Sequence, residues 1–273
     1  MDQAFSNPEK QGGVTRRTLM GAMVAAPAMA ALPGNAFAAG AADPAVKVVS
    51  LVARKADLST DGFRQHWLGV HGPMARTVPG MNAFILSEAV QDSANAAPQA
   101  PYAERFDGIA QSWHPARDVM RAAFATQQGR DWLAHGDLFI DRKASRGFFV
   151  KEQVVTAPAR AEGGIKRTAL LVRRQDVTHA QFVEQWTGRH ADLARTVPGL
   201  VGCIFNRIET ALGGPASPWS EIDGIAEYWW DAGALNHGER TSSPAWAAWS
   251  AHGDQFIDRA RSRTIVSLEH VMI

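Results

Sequence analysis

Hydrophobic and polar positions along the chain follow a pattern that occurs twice. Residues 47–53 and 168–172 are short runs rich in valine, leucine and alanine, which is typical of β-strands. Each run is followed by a segment with apolar residues three or four positions apart, which indicates an amphipathic helix that packs through one face. Two strands, a second helical segment and a last strand complete each set. The pattern therefore predicts the element order βαββαβ, twice.

The boundaries of these elements come from local signals. Ser59 or Thr60 is expected to cap the first helix, and Thr178 its counterpart. Val-Pro-Gly is expected to end both helices, because proline disfavours helix at the preceding residue and glycine accepts a left-handed turn. The other predicted strands are residues 81–86, 107–113, 147–155, 200–205, 223–230 and 264–272, and the second helical segments are 116–141 and 244–259.

Direct comparison of the two sets reveals an internal repeat. Residues 63–80 align with residues 182–199 at an offset of 119, and 10 of the 18 positions are identical. The tetrapeptide Asp-Gly-Ile-Ala recurs, and a later tryptophan-to-arginine block matches at 9 of 11 positions. Three matching blocks in the same order indicate a duplicated domain. The predicted copies are residues 45–156 and 164–273, joined by a short linker at 157–163.

The first 38 residues resemble a twin-arginine export signal rather than part of the fold. Arg16 and Arg17 precede an apolar run of 14 residues, and a small-residue site at 36–38 follows it. The run is shorter than the roughly 20 residues that a membrane-spanning helix needs. We therefore expect signal cleavage, a periplasmic or secreted protein, and no membrane attachment afterwards. The alternative is a disordered alanine-rich tail.

Charge and cysteine content exclude several classes of partner and site. The chain has 28 Lys and Arg against 27 Asp and Glu, and residues 39–273 contain 25 of each sign. A neutral protein is a poor match for nucleic acid, whose binding requires a basic excess. Cys203 is the single cysteine, which excludes an intrachain disulfide and every CxxC zinc or redox motif. Nucleotide-binding loops, serine-hydrolase elbows and HExxH zinc motifs are also absent from the sequence.

The element order predicts an α+β fold. A βαββαβ unit is ferredoxin-like, with an antiparallel sheet that two helices cover on one face. The other face of the sheet is left bare, and two such units commonly bury these faces against each other. We therefore expect two ferredoxin-like repeats packed as an intrachain pseudo-twofold dimeric α+β barrel.

Several blocks together resemble the EthD-like family of the dimeric α+β barrel superfamily. These blocks are Trp67, His71, 79–80, 107–110, 139–141 and Glu152 in the first repeat, and Trp186, His190, 198–199, 223–226, 256–258 and Glu269 in the second. The resemblance implies a place beside catabolic oxidation systems. Related members include fungal dehydratases or decarboxylases of aromatic or polyketide-like substrates. The superfamily also holds cofactor-free oxygenases, lactone isomerases and haem enzymes, so the fold does not determine the reaction.

Four histidines are the main candidates for catalysis. His71 and His190 lie four residues after a tryptophan, on the apolar stripe of the first helix of each repeat. His135 and His252 lie three residues after a tryptophan on the second helical segment. Because these helices cover the same sheet, we expect His71 to approach His135, and His190 to approach His252. Such a pair can supply one neutral base and one charged acid. The alternative is that the histidines only complete helix packing.

Other residues have secondary roles in this prediction. Trp67, Trp113, Trp186 and Trp229 are candidates to line a pocket for a planar apolar ligand, although large rings also fill cores. Asp137, Asp141, Asp254 and Asp258 are expected to form exposed ion pairs or caps. Glu152 and Glu269 are secondary acid/base candidates. The repeats differ at positions 111, 112 and 114 against 227, 228 and 230, so their pockets need not share a function.

Together these features predict an exported, cofactor-independent enzyme of the lyase or isomerase type. It would dehydrate, decarboxylate or isomerise a small aromatic or cyclic apolar molecule, with His71 and His190 as principal acid/base groups assisted by His135 and His252. No metal site is expected, and assembly into a homo-oligomer is compatible with the sequence. Two alternatives remain open: a non-catalytic periplasmic binding or accessory protein, and an oxidoreductase whose haem is bound by His71 or His190.

Overall fold

The structure is a computed structural model that describes residues 46–90, 107–160, 164–212, 221–231 and 241–273. The export signal predicted for residues 1–38 lies outside these ranges and stays a prediction. Within these ranges, no helix is both long enough and apolar enough to cross a membrane.

Each repeat has the predicted order of elements. The first contains β1 (Val46–Val52), α1 (Thr60–His66), a π-helical segment (Trp67–His71), α2 (Gly72–Met74), a 3₁₀ turn (Ala75–Thr77), β2 (Ala83–Ala89), β3 (Gly108–His114), α3 (Arg117–Phe124), α4 (Gln127–Phe139) and β4 (Arg146–Thr156). The second contains β5 (Ile165–Leu171), α5 (His179–Gln185), a π-helical segment (Trp186–His190), α6 (Ala191–Ala194), β6 (Leu200–Leu212), β7 (Gly224–Trp230), α7 (Pro244–Gly253) and β8 (Arg263–Val271). The βαββαβ prediction is confirmed for both repeats.

Capping residues explain where the helices begin and end. Ser59 caps α1 and its hydroxyl accepts from the backbone of Gly62, while Thr178 caps α5 in a capping box with Gln181. The structure divides the helical segment predicted at 116–141 into two helices, α3 and α4. The division occurs because Thr126 is the N-cap of α4. Both Val-Pro-Gly turns end on a glycine with positive φ, as the sequence predicts.

The eight strands form one closed antiparallel barrel in the order β1-β3-β2-β8-β5-β7-β6-β4. Within each repeat the strands lie in the same order, since β4-β1-β3-β2 corresponds to β8-β5-β7-β6. The repeats join through two equivalent pairs, β2 with β8 and β4 with β6. The predicted intrachain pseudo-twofold α+β barrel is therefore confirmed.

The fold has an apolar core on each side of the sheet. Val49, Ile109, Ile225 and Ile265, with their neighbours, fill the barrel interior from both repeats. Outside the barrel, each repeat has its own core between helices and sheet.

The recurring Asp-Gly motif serves the outer cores. A Cβ atom on Gly108 would lie 2.3 Å from the ring of the fully buried Trp67, and one on Gly224 would lie 2.4 Å from Trp186. Glycine therefore makes room for a tryptophan that packs directly on the strand.

An ion network occupies part of the barrel interior beside the apolar core. Glu227 lies at its centre and is 1% exposed. Its Oε1 accepts from Lys47 Nζ at 3.0 Å and from the amides of Gln111 and Asn206, each at 2.7 Å. Its Oε2 accepts from Lys166 Nζ at 3.0 Å. Both repeats thus contribute to the coordination of one carboxylate.

Two more carboxylates and an arginine complete this interior ion network. Glu152 pairs with Lys47 at 2.6 Å, and Glu269 pairs with Arg160 at 2.7 Å and with Lys166 at 3.2 Å. Burial opposes ionisation of Glu227, but Lys166, Lys47 and Arg160 hold the pKa of that carboxyl well below its usual range. Three carboxylates therefore balance three cations inside the barrel.

Candidate active site

The two predicted principal histidines occupy equivalent places in the fold. His71 and His190 are each the last residue of a π-helical segment, and both are buried. In the first repeat the wide turn is closed by the backbone of Gly72, which donates to the carbonyl of Trp67 five residues earlier. Single π-helical turns occur often at functional sites, where they reposition one side chain.

The structure brings the predicted histidine pairs together. The Nδ1 atoms of His71 and His135 are 3.5 Å apart, and those of His190 and His252 are 3.4 Å apart. The first ring of each pair also stacks on a tryptophan, with centroids 4.2 Å apart for His71 and Trp132, and 5.1 Å apart for His190 and Trp249.

Burial keeps these histidines neutral. It is the main cause that lowers the pKa of His71 and of His190 to about 3, and the partner histidine and a nearby arginine, Arg142 or Arg259, act in the same direction. Burial also lowers the pKa of His135 and of His252. At neutral pH each pair therefore consists of two uncharged imidazoles.

In the second repeat, hydrogen bonds fix the positions of the protons. The amide oxygen of Gln185 lies 3.1 Å from His252 Nε2, and an amide oxygen can only accept, so this nitrogen carries the proton. The Nδ1 atom of neutral His252 must then accept, and Nδ1 of His190 must donate to it. Nε2 of His190 is left unprotonated, as the nitrogen available to a ligand.

The first repeat lacks this arrangement. The position of Gln185 is taken by His66, whose ring centroid lies 5.5 Å from that of His135. Imidazole can donate or accept at this place, so no amide oxygen determines the tautomer of the pair of His71 and His135. The two repeats therefore share the histidine pair and differ in what orients it.

Each histidine pair adjoins a cavity between the helices and the outer face of the sheet. Cavity one, in the first repeat, has a volume of about 370 Å³ and is lined by His71, Trp67, Trp132, Phe84, Arg142 and Arg146, among others. Cavity two, in the second repeat, has a volume of about 280 Å³ and is lined by His190, Tyr228, Trp230, Trp246, Trp249 and Arg259, among others. Cavities of this size suit small molecules with few rings.

The four predicted tryptophans occupy three different environments. Trp67 lies on the wall of cavity one, and Trp186 is fully buried in the outer core of the second repeat. Trp113 and Trp229 do not line the cavities beside the histidines, contrary to the expectation from the sequence, because they face the barrel interior. Trp113 lies 4.8 Å below Lys47 Nζ, and Trp229 donates to Glu269 at 2.7 Å. Residues two apart on a strand share a face, so these rings lie on the side of the interior ion network.

Besides the predicted Trp67, the cavities are lined by tryptophans that sequence reasoning missed: Trp132, Trp230, Trp246 and Trp249. Two of these carried a usable signal. Trp132 and Trp249 each precede the second histidine of a pair by three residues, so they share its helix face.

The acidic candidates stand apart from the histidine pairs. Asp137 pairs with Arg142, and Asp254 with Arg259, each at 2.8 Å on the surface, in line with the expected exposed ion pairs. Asp141 and Asp258 accept from backbone amides of the following turns. Glu152 and Glu269 belong to the interior ion network, on the other side of the sheet from the cavities.

The residues around His71 and His190 do not fit a haem. One face of each ring is covered by a tryptophan. An axial ligand needs a flat open slot beside Nε2 for the whole porphyrin. Cavities of about 370 and 280 Å³ are too small for four linked pyrrole rings with their propionates. Among the residues that the structure describes, no group of three His, Cys, Asp or Glu side chains is placed to hold a metal ion.

Comparison with protein families agrees with the duplicated architecture. The EthD domain profile matches residues 55–143 and 174–260, one match in each repeat, which together span more than half of the chain. This chain belongs to the EthD domain family. No curated protein matches this EthD protein in sequence.

Solved structures confirm the fold of this EthD protein. It resembles a proposed monooxygenase from Lactobacillus acidophilus NCFM with 8% identity over 83% of this chain and 94% of that chain, at a TM-score of 0.51. A proposed monooxygenase from Fusobacterium nucleatum has 7% identity over 83% and 93%, at a TM-score of 0.55. An anthrone oxidase-like protein has 12% identity over 84% and 94%, at a TM-score of 0.53. At these identities the likeness concerns the barrel alone.

Proposed function

We propose that this EthD protein is a cofactor-independent enzyme, of lyase or isomerase type, that moves a proton on a small aromatic or cyclic substrate. His190 and His71 are the acid/base groups, assisted by His252 and His135. The observation that carries the proposal is one buried histidine at the wall of each cavity, His71 or His190, whose Nδ1 is engaged by a second histidine so that its Nε2 is the nitrogen left for a ligand.

The pair suits proton transfer because each member has a distinct task. Nε2 of His190 accepts a proton from an acidic C–H or O–H group of the substrate. The resulting positive charge is shared with His252 through the contact between the two Nδ1 atoms. Burial lowers the pKa of His190 to about 3, which makes it a weak base. A negative charge that develops on the substrate beside the ring raises that pKa toward the working pH.

An arginine supports the same chemistry in each cavity. Arg142 lines cavity one and Arg259 lines cavity two, each held by a hydrogen bond to an aspartate. Dehydration, decarboxylation and enolisation all develop negative charge on an oxygen or carbon of the substrate. A fixed guanidinium beside the reacting histidine stabilises that charge.

The experiment measures exchange of carbon-bound hydrogen by NMR in D₂O, with 2-tetralone as the enolisable bicyclic probe. We expect the native protein to accelerate exchange, and the double variant His71→Gln with His190→Gln to lose about 100- to 10,000-fold of that acceleration. The single variants show how much each repeat contributes.

His179→Gln is the matched control, because this histidine lies on α5 with a half-exposed side chain and lines neither cavity. It should exchange at the native rate. A double variant as fast as the native protein would overturn the assignment of the histidines. A native protein that binds 2-tetralone without accelerating its exchange would favour the non-catalytic binding protein.

A further inference from the structure

We propose that cavity two binds a planar aromatic anion and that Arg167 recognises its negatively charged oxygen. The inference rests on the proposed function, because the anion would be the substrate of that enzyme. It names the class of substrate and the repeat that binds it.

Arg167 is placed to meet a ligand. It lies on β5 between Lys166 and Thr168, which face the barrel interior, so its own side chain projects from the outer face of the sheet. Its cross-strand neighbour on β7 is Tyr228, and both line cavity two. The outer face here is the one covered by the helices of the second repeat, which carry His190 and His252.

The guanidinium of Arg167 has no partner in the part of the chain that the structure describes. It forms no ion pair, hydrogen bond or aromatic contact there, although the residue is half-buried. Guanidinium offers five N–H donors in a fixed fork, and leaving such a group half-desolvated and unpaired is unfavourable. A carboxylate or phenolate in the cavity provides the missing acceptor and matches the fork geometry.

The other walls of cavity two suit a flat ring. Trp246 lies between Trp230 and Trp249, with ring centroids 5.7 and 5.3 Å away, and Tyr228 meets Trp249 edge-on at 5.5 Å. Aromatic walls favour a planar aromatic body in offset or edge-to-face contact. The cavity volume of about 280 Å³ accommodates a bicyclic molecule.

The charge around cavity two has one sign. Its described lining residues include Arg167 and Arg259 and contain no aspartate or glutamate. Arg259 has Asp254 as its partner on the surface, so Arg167 is the cation left for the ligand. Among the described lining residues, an anion that binds here meets the unpaired Arg167, Arg259 with its partner Asp254, and a neutral histidine, and no carboxylate lines the cavity itself.

The first repeat does not offer the same site. The residues equivalent to Arg167, Tyr228 and Trp230 are Val48, Ser112 and His114. Cavity one therefore lacks both this guanidinium and these ring walls, and the proposal concerns the second repeat alone.

The test compares 2-naphthoate with the neutral 2-naphthamide, which has nearly the same shape, by titration calorimetry on the full chain. We expect the native protein to bind the acid at least about tenfold more tightly than the amide. Arg167→Val, which installs the residue of the first repeat, should weaken 2-naphthoate about 10- to 100-fold and leave 2-naphthamide within about threefold. Added salt should weaken the acid more than the amide.

Arg121→Val is the control. Arg121 is an exposed residue on α3 of the first repeat, so this substitution removes the same charge away from cavity two and should change neither affinity. Arg167→Lys keeps the charge without the fork and should fall between the native protein and Arg167→Val. Equal native affinities for the two probes, no detectable binding of 2-naphthoate, or an unchanged preference in Arg167→Val would each overturn the inference. If Arg167→Val does not fold, the native preference and Arg167→Lys decide the question. Neither result alters the histidine experiment, so the two proposals can fail separately.

Discussion

Replacing Glu227 with leucine is expected to destabilise the protein by about 3–5 kcal/mol. The carboxylate accepts from Lys47 and Lys166, both of which are almost fully buried, and from the amides of Gln111 and Asn206. Removing it leaves two ammonium groups in the barrel interior with one fewer counter-charge and two amides without an acceptor. Urea unfolding followed by tryptophan fluorescence measures the change in the free energy of unfolding.

Two further variants test whether the lost charge causes this effect. Gln111→Leu removes the amide that donates to Glu227 and accepts from Lys166, but it leaves every charge with its counter-charge. It should therefore cost less than Glu227→Leu, about 2 kcal/mol. Adding Lys166→Met to Glu227→Leu removes one of the two lysines that lost Glu227 as a partner and restores the balance of charge. The double variant should therefore be more stable than Glu227→Leu alone. A Glu227→Leu protein as stable as the native one would contradict a stabilising role for the network.

Lowering the pH from 7 to 4 is expected to reduce the free energy of unfolding by several kcal/mol. The pKa of His71 and of His190 is about 3 in the folded state, below the ordinary value of 6.5 that the unfolded chain has. The unfolded state therefore binds protons first as the pH falls. The stability that depends on neutral histidine is complete above pH 6.5 and is lost progressively between pH 6.5 and 3. At pH 4 each of the two histidines accounts for a loss of on the order of 3 kcal/mol in the free energy of unfolding.

The surroundings of these rings act in the same direction. Arg142 and His135 face His71, and Arg259 and His252 face His190, so each added proton meets positive charge or a second imidazole. Glu227 adds to the loss of stability once the pH falls below the ordinary pKa range of a carboxyl group, because the pKa of Glu227 is lowered in the folded protein.

Urea unfolding at half-unit pH steps checks the acid effect. The double variant His71→Gln with His190→Gln should show a flatter dependence between pH 6.5 and 4, since glutamine does not titrate. Gln128→Ala, at an exposed and uncharged position on α4, should reproduce the native curve. A native free energy of unfolding that stays constant from pH 7 to 4 would show that the buried rings do not titrate as described.

Much of the fold could be predicted from the sequence because its signals are local or repeated. Apolar spacing, the Val-Pro-Gly turns and the duplicated blocks together define two βαββαβ units. The histidine pairs could be predicted for the same reason. The spacing of His71 and His135 from their tryptophans places both on apolar helix faces, and two helices on one sheet face must meet there.

The interior ion network could not be predicted, because it depends on contacts between distant strands. Lys47, Lys166 and Glu227 come from β1, β5 and β7, and only barrel closure places them side by side. Glu269 is an acid/base candidate in the sequence, whereas in the structure it is a buried carboxylate that Lys166 and Arg160 neutralise.

The assignment of Trp113 and Trp229 failed for a related reason. Both faces of their strands are covered, one by helices and one by the opposite wall of the barrel, so apolar residues occur on both faces. Alternation between polar and apolar residues, which normally identifies the inward face of an antiparallel strand, is then lost.

The hydrogen bond between Gln111 and Glu227 joins two residues that correspond by the internal repeat. In an assembly of two identical chains, a residue that touches its own counterpart must meet a copy of itself. Two glutamates would repel each other there, and two glutamines would leave the nearby lysines with less negative charge. A fused gene can encode a different partner on each side of the axis. Duplication within one polypeptide thus permits broken symmetry at the centre of the barrel, and with it separate evolution of the two cavities.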